Sequence, residues 1–113
     1  WRLQSTTVKT PVAFNTQTGT TYTIVQSDVN RYVTLSNASA ITLTVPADAT
    51  TNFDIGSQIH LVQFGAGQVT VAGAGGVTIN SADGTLKLRT QYSGATLTKT
   101  AANTWLLIGD IKG

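Results

Sequence analysis

The sequence predicts an all-β fold, an antiparallel β-sandwich or jelly-roll-like barrel of roughly eight to ten short strands. Three observations carry this. Thr, Val and Ile dominate the apolar and semi-polar positions, and β-branched side chains suit a pleated surface better than a helix. Apolar residues recur at every second position, as in Ile41-Thr-Leu-Thr-Val45 and Val69-Thr-Val71, which is the strand period. Turn residues punctuate the chain every few residues, and no segment shows a helical period with caps.

The elements follow in order. Residues 6–14 alternate weakly and contain Pro11, which suits an edge strand or entry arm. A short strand is expected at 21–25, then a turn at Ser27-Asp-Val-Asn30. Residues 32–35 resume as a strand that stops at Ser36-Asn-Ala-Ser39. Residues 41–45 alternate cleanly and end at Pro46. A loop with Asp48, Asn52 and Asp54 runs to Gly56. Residues 58–64 are nearly continuous apolar, the pattern of a strand buried on both faces. Gly65-Ala-Gly67 turns the chain into a strand at 68–72, and Gly73 to Gly76 breaks it again before 77–80. Asp83-Gly84 precedes a strand at 86–89. Residues 95–100 and 104–108 form a hairpin around Ala101-Ala-Asn103. Val-Thr-Val71 and Val-Thr-Ile79 are a local echo only. No period extends through the chain, so neither a solenoid nor a propeller is expected.

With 113 residues the chain is one domain, read as an N-terminal arm or linker with an edge strand at 1–20 and a single β-sandwich module at 21–113. A core of this size is small, and oligomerisation would enlarge the buried area. Trp1 stands where an initiating Met would, so the sequence is read as a piece of a longer protein. Only 11% of residues are charged, against about 25% in ordinary domains, and Glu is absent. The surface must therefore be built from Thr, Ser, Asn and Gln. Seven basic residues, scattered from Arg2 to Lys112, give a net charge of +2 and no nucleic-acid footprint. There is no Cys, hence no disulfide framework or thiolate metal site. No run approaches the ~18 apolar residues of a spanning helix, and no membrane insertion is expected.

Catalytic chemistry finds little support. The five acids, Asp28, Asp48, Asp54, Asp83 and Asp110, all stand in turn or chain-end contexts, where capping explains them. Asp48 and Asp54 share a loop and are the best candidates for a ligand contact, although the loop lacks calcium-binding spacing. The one histidine, His60, lies between Ile59 and Leu61 and reads as a hydrogen-bonded structural residue at a subunit interface. Gly65 to Gly76 has neither the Lys-Ser/Thr nor the following helix of a phosphate loop. Asn37-Ala-Ser39 is a formal glycosylation triplet of a kind that arises by chance in such chains. Trp105, ahead of Leu-Leu-Ile108, reads as a core or interface anchor, and Phe64 as a second interface residue. Tyr92, in Thr90-Gln-Tyr-Ser-Gly94, is flanked by polar residues and is the candidate for a wet, ligand-facing ring. No enzyme activity and no cofactor are expected.

A set of blocks adds a resemblance. Tyr32-Val-Thr-Leu-Ser-Asn-Ala-Ser-Ala-Ile-Thr-Leu-Thr-Val-Pro46, Ile55-Gly-Ser-Gln-Ile59, Gly65-Ala-Gly-Gln-Val-Thr-Val71, Gly76-Val-Thr-Ile-Asn80, Gln91-Tyr-Ser-Gly-Ala-Thr-Leu97 and Asn103-Thr-Trp-Leu-Leu-Ile-Gly-Asp110 together resemble a module of tailed-bacteriophage virion proteins. The likeness spans residues 20 to 111 and lies in the order and spacing of the blocks. It implies the distal or C-terminal β-module of a tail fibre, tail spike, or capsid fibre or decoration protein, non-enzymatic and homotrimeric. It further implies a place in the virion after assembly in the bacterial cytoplasm, contact with other virion proteins through the N-terminal side, and attachment to a host-surface polysaccharide or other receptor. The alternative is a glycan-binding adhesion module for which host recognition is the primary role. No catalytic residues are carried over.

Overall fold

Nine strands build two sheets around one core in the computed structural model, which describes residues 11–112. They are β1 (Phe14–Gln17), β2 (Thr21–Thr23), β3 (Tyr32–Leu35), β4 (Ile41–Val45), β5 (Gln58–Gln63), β6 (Val69–Gly73), β7 (Thr78–Ser81), β8 (Gly94–Ala101) and β9 (Thr104–Gly109). The six-stranded sheet has the order β1-β3-β5-β8-β9-β7, and the three-stranded sheet the order β2-β4-β6. No helix among the described residues is long and apolar enough to cross a membrane.

The expected all-β architecture is present, but its antiparallel topology is not. Strands β1, β3 and β5 pair in parallel, as do β2, β4 and β6. Up to β6 the chain alternates between the sheets, so β2 and β4 are each the crossover joining two parallel neighbours of the larger sheet. Parallel pairing normally needs a long connection, often a helix. Here a short strand of the opposite sheet serves instead, and the result is a three-turn parallel coil. A solenoid-like winding was not expected, because the coils differ in length. Phe14 aligns with Tyr32 and His60, and Thr21 with Thr42 and Thr70, at unequal spacings that leave no sequence period. Only the C-terminal part is antiparallel. There β8 pairs with β5 and with β9, and the hairpin at Ala101–Asn103 lies where it was expected. Asn103 closes it with φ +49°.

Other differences are local. The edge strand expected within residues 1–20 is β1, Phe14–Gln17, at the edge of the larger sheet, and it begins at the last residue of the expected 6–14 span. Residues 6–10 of the expected first strand lie outside the described residues. The strand expected at 86–89 is reduced to isolated bridges, Lys87 with Thr70 and Leu88 with Ile111. Strand β5 is buried on one face only. Ile59, Leu61 and Gln63 point inward, while His60 and Val62 are half-buried on the outside.

The core joins Val33, Leu35, Ile59 and Leu61 of one sheet to Leu43 and Val71 of the other. Three polar devices organise it. At the first coil, buried Asp28 accepts from Tyr22 Oη at 2.6 Å, Asn15 Nδ2 at 2.9 Å and the Val25 N–H at 3.0 Å. Burial, and then the bond to Asp28, push the Tyr22 phenol well above its ordinary pKa. Under β5, buried Gln63 accepts from the Val69 N–H at 3.1 Å and donates to the Gly65 carbonyl at 3.1 Å, clamping the β5–β6 turn.

The third device stacks successive turns. Asn37 Nδ2 donates to the Thr18 carbonyl at 2.8 Å, Asn37 Oδ1 accepts from the Ser39 N–H at 2.8 Å, and the Gly67 N–H donates to the Asn37 carbonyl at 2.8 Å. One asparagine thus bonds the turn before it and the turn after it, which gives the Asn37-Ala-Ser39 triplet a structural task. Asn37→Ala is expected to destabilise the fold by about 1–2 kcal/mol, since two side-chain bonds are lost at a half-buried site; urea denaturation would measure it.

Candidate functional site

Alternation along each strand of the six-stranded sheet sends one set of side chains into the core and the other outward. The outward set is Phe14 and Thr16 on β1, Tyr32 and Thr34 on β3, and Gln58, His60 and Val62 on β5. It continues with Thr96 and Thr98 on β8, Leu106 and Ile108 on β9, and Thr78 and Asn80 on β7. None of these positions carries Asp, Glu, Lys or Arg. Several of the chain's few charges are engaged elsewhere: Lys99 and Asp28 are buried, Asp48 pairs with Lys99, and Arg89 pairs with Asp110.

Across this face runs one row set by register: Phe14, Tyr32, His60, Thr96, Ile108. Its first three members stack as a ladder. The Phe14 and Tyr32 ring centroids lie 5.4 Å apart at 14°, and those of Tyr32 and His60 5.0 Å apart at 32°. His60 Nδ1 shares a 2.9 Å hydrogen bond with Thr96 Oγ1, which fixes the ring at the end of the ladder. Phe14 is 61% exposed and Ile108 59% exposed, so both ends of the row stand open. A shallow groove lies between His60 and Ile108, floored by Gly94 and Thr96, and a second depression flanks Ile108 toward Ile111 and Thr85. An uncharged sheet face with exposed apolar ends is a surface that gains by being covered.

A second, smaller feature sits at the far end of β5. Phe64 and Tyr92 meet edge to face with centroids 5.9 Å apart, and they are 41% and 70% exposed. The structure thus brings together two residues for which sequence reading expects separate roles, Tyr92 as a ligand contact and Phe64 as an interface residue.

The remaining candidates divide. His60 lies half-buried on the outward face, within the row. Trp105 is fully buried and packs edge-on against Phe53 at 5.2 Å. It is a core anchor, and its burial removes it from any interface. Asp48 has both oxygens engaged, one by Lys99 Nζ at 2.6 Å and the other by the Asn103 N–H at 3.0 Å. The Lys99 bond holds its carboxyl below the usual range, helped by the Asn103 amide. It serves as a loop anchor and not as the free ligand contact expected. Asp54 is exposed on the same loop beside Ile55 and Ala102, with its backbone carbonyl taking the Ser57 N–H at 3.0 Å. No group of three or more metal-binding side chains occurs among the described residues.

The members of the row that sequence reading missed are Phe14, Tyr32, Thr96 and Ile108. Each is unremarkable in its own strand, and only the register of unequal coils aligns them. No protein-family model matches the chain, and neither the curated proteins nor the solved structures give a significant match.

Proposed function

We propose that this chain is a structural module of a bacteriophage virion, a fibre tip, spike end or capsid decoration, that works as a homotrimer and is not an enzyme. The sequence resemblance supplies the virion setting. The observation that supports self-association is the uncharged outer face of the six-stranded sheet, crossed by the Phe14–Tyr32–His60 ladder and ending at Ile108. A chain of net charge +2 whose described strand residues leave that sheet face free of charge can meet copies of itself there without repulsion. Covering that face adds apolar burial to a small core and shields a broad sheet surface.

Size-exclusion chromatography with light scattering at micromolar concentration should return a trimer. The double substitution Tyr32→Lys and Ile108→Lys should return a monomer with an unchanged circular-dichroism spectrum, because both side chains point away from the core. A monomeric wild-type chain would overturn the assembly. Antibodies against the module should label the fibre, spike or capsid of intact particles by electron microscopy.

A second reading, a glycan-binding adhesion module, is favoured by the exposed Phe64–Tyr92 pair. The two readings are compatible, since the pair lies at a turn end and the ladder on the sheet face.

A further inference from the structure

Among the described residues four non-glycine residues adopt positive φ: Asn30 at +62°, Asp83 at +57°, Tyr92 at +68° and Asn103 at +49°. Three are Asn or Asp, whose short polar side chains tolerate the left-handed region. Tyr92 is the exception, and glycine would hold its backbone at lower cost. The ring does not recover that cost by burial, since 70% of the residue is exposed and its one aromatic contact is edge-on to Phe64.

The turn beneath the ring is nonetheless firmly held. The Tyr92 N–H donates to the Gln63 carbonyl at 2.6 Å, the Ser93 N–H to the Thr90 carbonyl at 3.0 Å, and the Thr90 N–H to Ser93 Oγ at 3.0 Å. Gln91 Nε2 reaches the Phe64 carbonyl at 2.9 Å, tying the turn to the residue that supports the ring. Beside it, Arg89 forks onto Asp110 at 2.7 and 2.8 Å, and Ser93 Oγ donates to the same carboxylate at 2.9 Å. Both members of that fork keep about half their side-chain surface in solvent, at 52% and 43% exposed. An exposed ring thus stands on a pinned turn whose flanking residues supply the Gln91 amide and the Arg89–Asp110 fork.

We propose that Phe64, Tyr92, Gln91 and the Arg89–Asp110 fork form a saccharide contact site. The open face of Tyr92 stacks on the C–H face of a pyranose ring, and the polar border takes its hydroxyls. This rests on the adhesion reading above and names its site and ligand class. Size decides against a protein partner at this spot: two rings fall far short of the ~800 Å² per side that a stable protein interface covers. Shape decides against a purely apolar small molecule, which would need a concave pocket around it. A sugar has one apolar face and a hydroxyl rim, matching a flat ring with a polar border. A pinned turn also lowers the ordering cost of binding.

The test uses the whole chain with three sets of soluble oligosaccharides, built from neutral hexoses, N-acetylhexosamines and uronic acids, titrated by calorimetry. At least one set should bind saturably, with a dissociation constant of about 1 mM or tighter. Tyr92→Phe should stay within about threefold of the wild type, and Tyr92→Gly should weaken binding by about tenfold or more, the scale of one lost stacking ring. Because glycine suits φ +68°, Tyr92→Gly should melt at the wild-type temperature or above. Absence of binding in all three sets overturns the proposal, as does wild-type affinity in Tyr92→Gly. A clear drop in the melting temperature of Tyr92→Gly would mark the ring as structural and overturn it too. Light scattering on the same samples separates the two readings, since loss of the trimer with saccharide binding intact defeats only the assembly.

Discussion

Gly67→Ala is expected to leave little folded protein. A Cβ at this position would lie 1.8 Å from the Ser39 carbonyl oxygen, 2.4 Å from its carbon and 2.7 Å from the Asn37 carbonyl oxygen. All three are backbone atoms, so no side chain can swing aside. The turn cannot retreat either, because the Gly67 N–H is bonded to the Asn37 carbonyl and Gln63 clamps the same turn from within. Overpacking a core usually costs 1–3 kcal/mol, but a clash fixed on both sides belongs with the largest single-residue effects, above about 4 kcal/mol. That is a large share of the roughly 5–15 kcal/mol that holds an ordinary domain. Gly75→Ala is the control. A Cβ there meets nothing within 4 Å, and Gly75 is not among the glycines at positive φ. Thermal melts should show Gly75→Ala close to wild type and Gly67→Ala with no cooperative transition, or one lowered by tens of degrees. A Gly67→Ala chain melting within a few degrees of wild type would refute the turn-stacking account.

The same glycine pair shows what the sequence could and could not display. Gly65-Ala-Gly67 reads as a tight turn, and it is one. What the sequence does not display is the close approach of its backbone to Asn37 and Ser39 of the preceding coil. Periodicity located β4 and β6 nearly residue for residue, because one-sided burial writes its own period of two, while β5 is located by its apolar run, which hides that only one face is buried. It could not give strand direction. An alternating strand looks the same whether its neighbour runs parallel or antiparallel, and hairpins are the simpler guess where turns are short. Direction here is set by which sheet the next strand joins, and coils of unequal length hide that from any repeat search. The site was legible in the same uneven way. Tyr92 stands out because polar neighbours predict exposure for its ring. Phe14, Tyr32 and Ile108 do not stand out, since a ladder across strands is a property of register. Asp48 misled because an acid in a polar loop looks free, and its partner Lys99 sits far along the chain in a strand whose alternation looks ordinary.

That lysine carries the second large effect. Lys99 points inward from β8 at 2% exposure, and its ammonium meets three acceptors: Asp48 Oδ1 at 2.6 Å, Asn52 Oδ1 at 3.0 Å and the Phe53 carbonyl at 2.8 Å. Those three residues belong to the long loop between β4 and β5, and Phe53 in turn packs on Trp105. One buried cation therefore fastens the loop over the core, and Asp48 extends the fastening to the β8–β9 turn, its N–H donating to Asn103 Oδ1 and its carboxylate accepting from the Asn103 N–H. Lys99→Met keeps the aliphatic stem but strands a buried carbonyl and an amide oxygen. Its cost should be about 3 kcal/mol, at the low end for breaking a buried pair because the Asp48 side chain keeps 20% exposure and can rehydrate. The pH dependence should change with it. Hydrogen bonding from Lys99 lowers the Asp48 carboxyl from its ordinary 3.8 in the folded chain. Its stabilising contribution is thus complete above that ordinary value and lost as pH falls through the lowered one. Asp110, lowered first by Arg89 and then by Ser93, acts in the same direction and is untouched by the substitution. Urea midpoints should therefore fall between pH 7 and pH 3 in both chains, and less steeply in Lys99→Met. An equal acid slope in the two chains would mean that Asp48 is not held by Lys99 in solution, and a Lys99→Met chain as stable as wild type would mean that the loop is fastened by the Phe53–Trp105 contact alone.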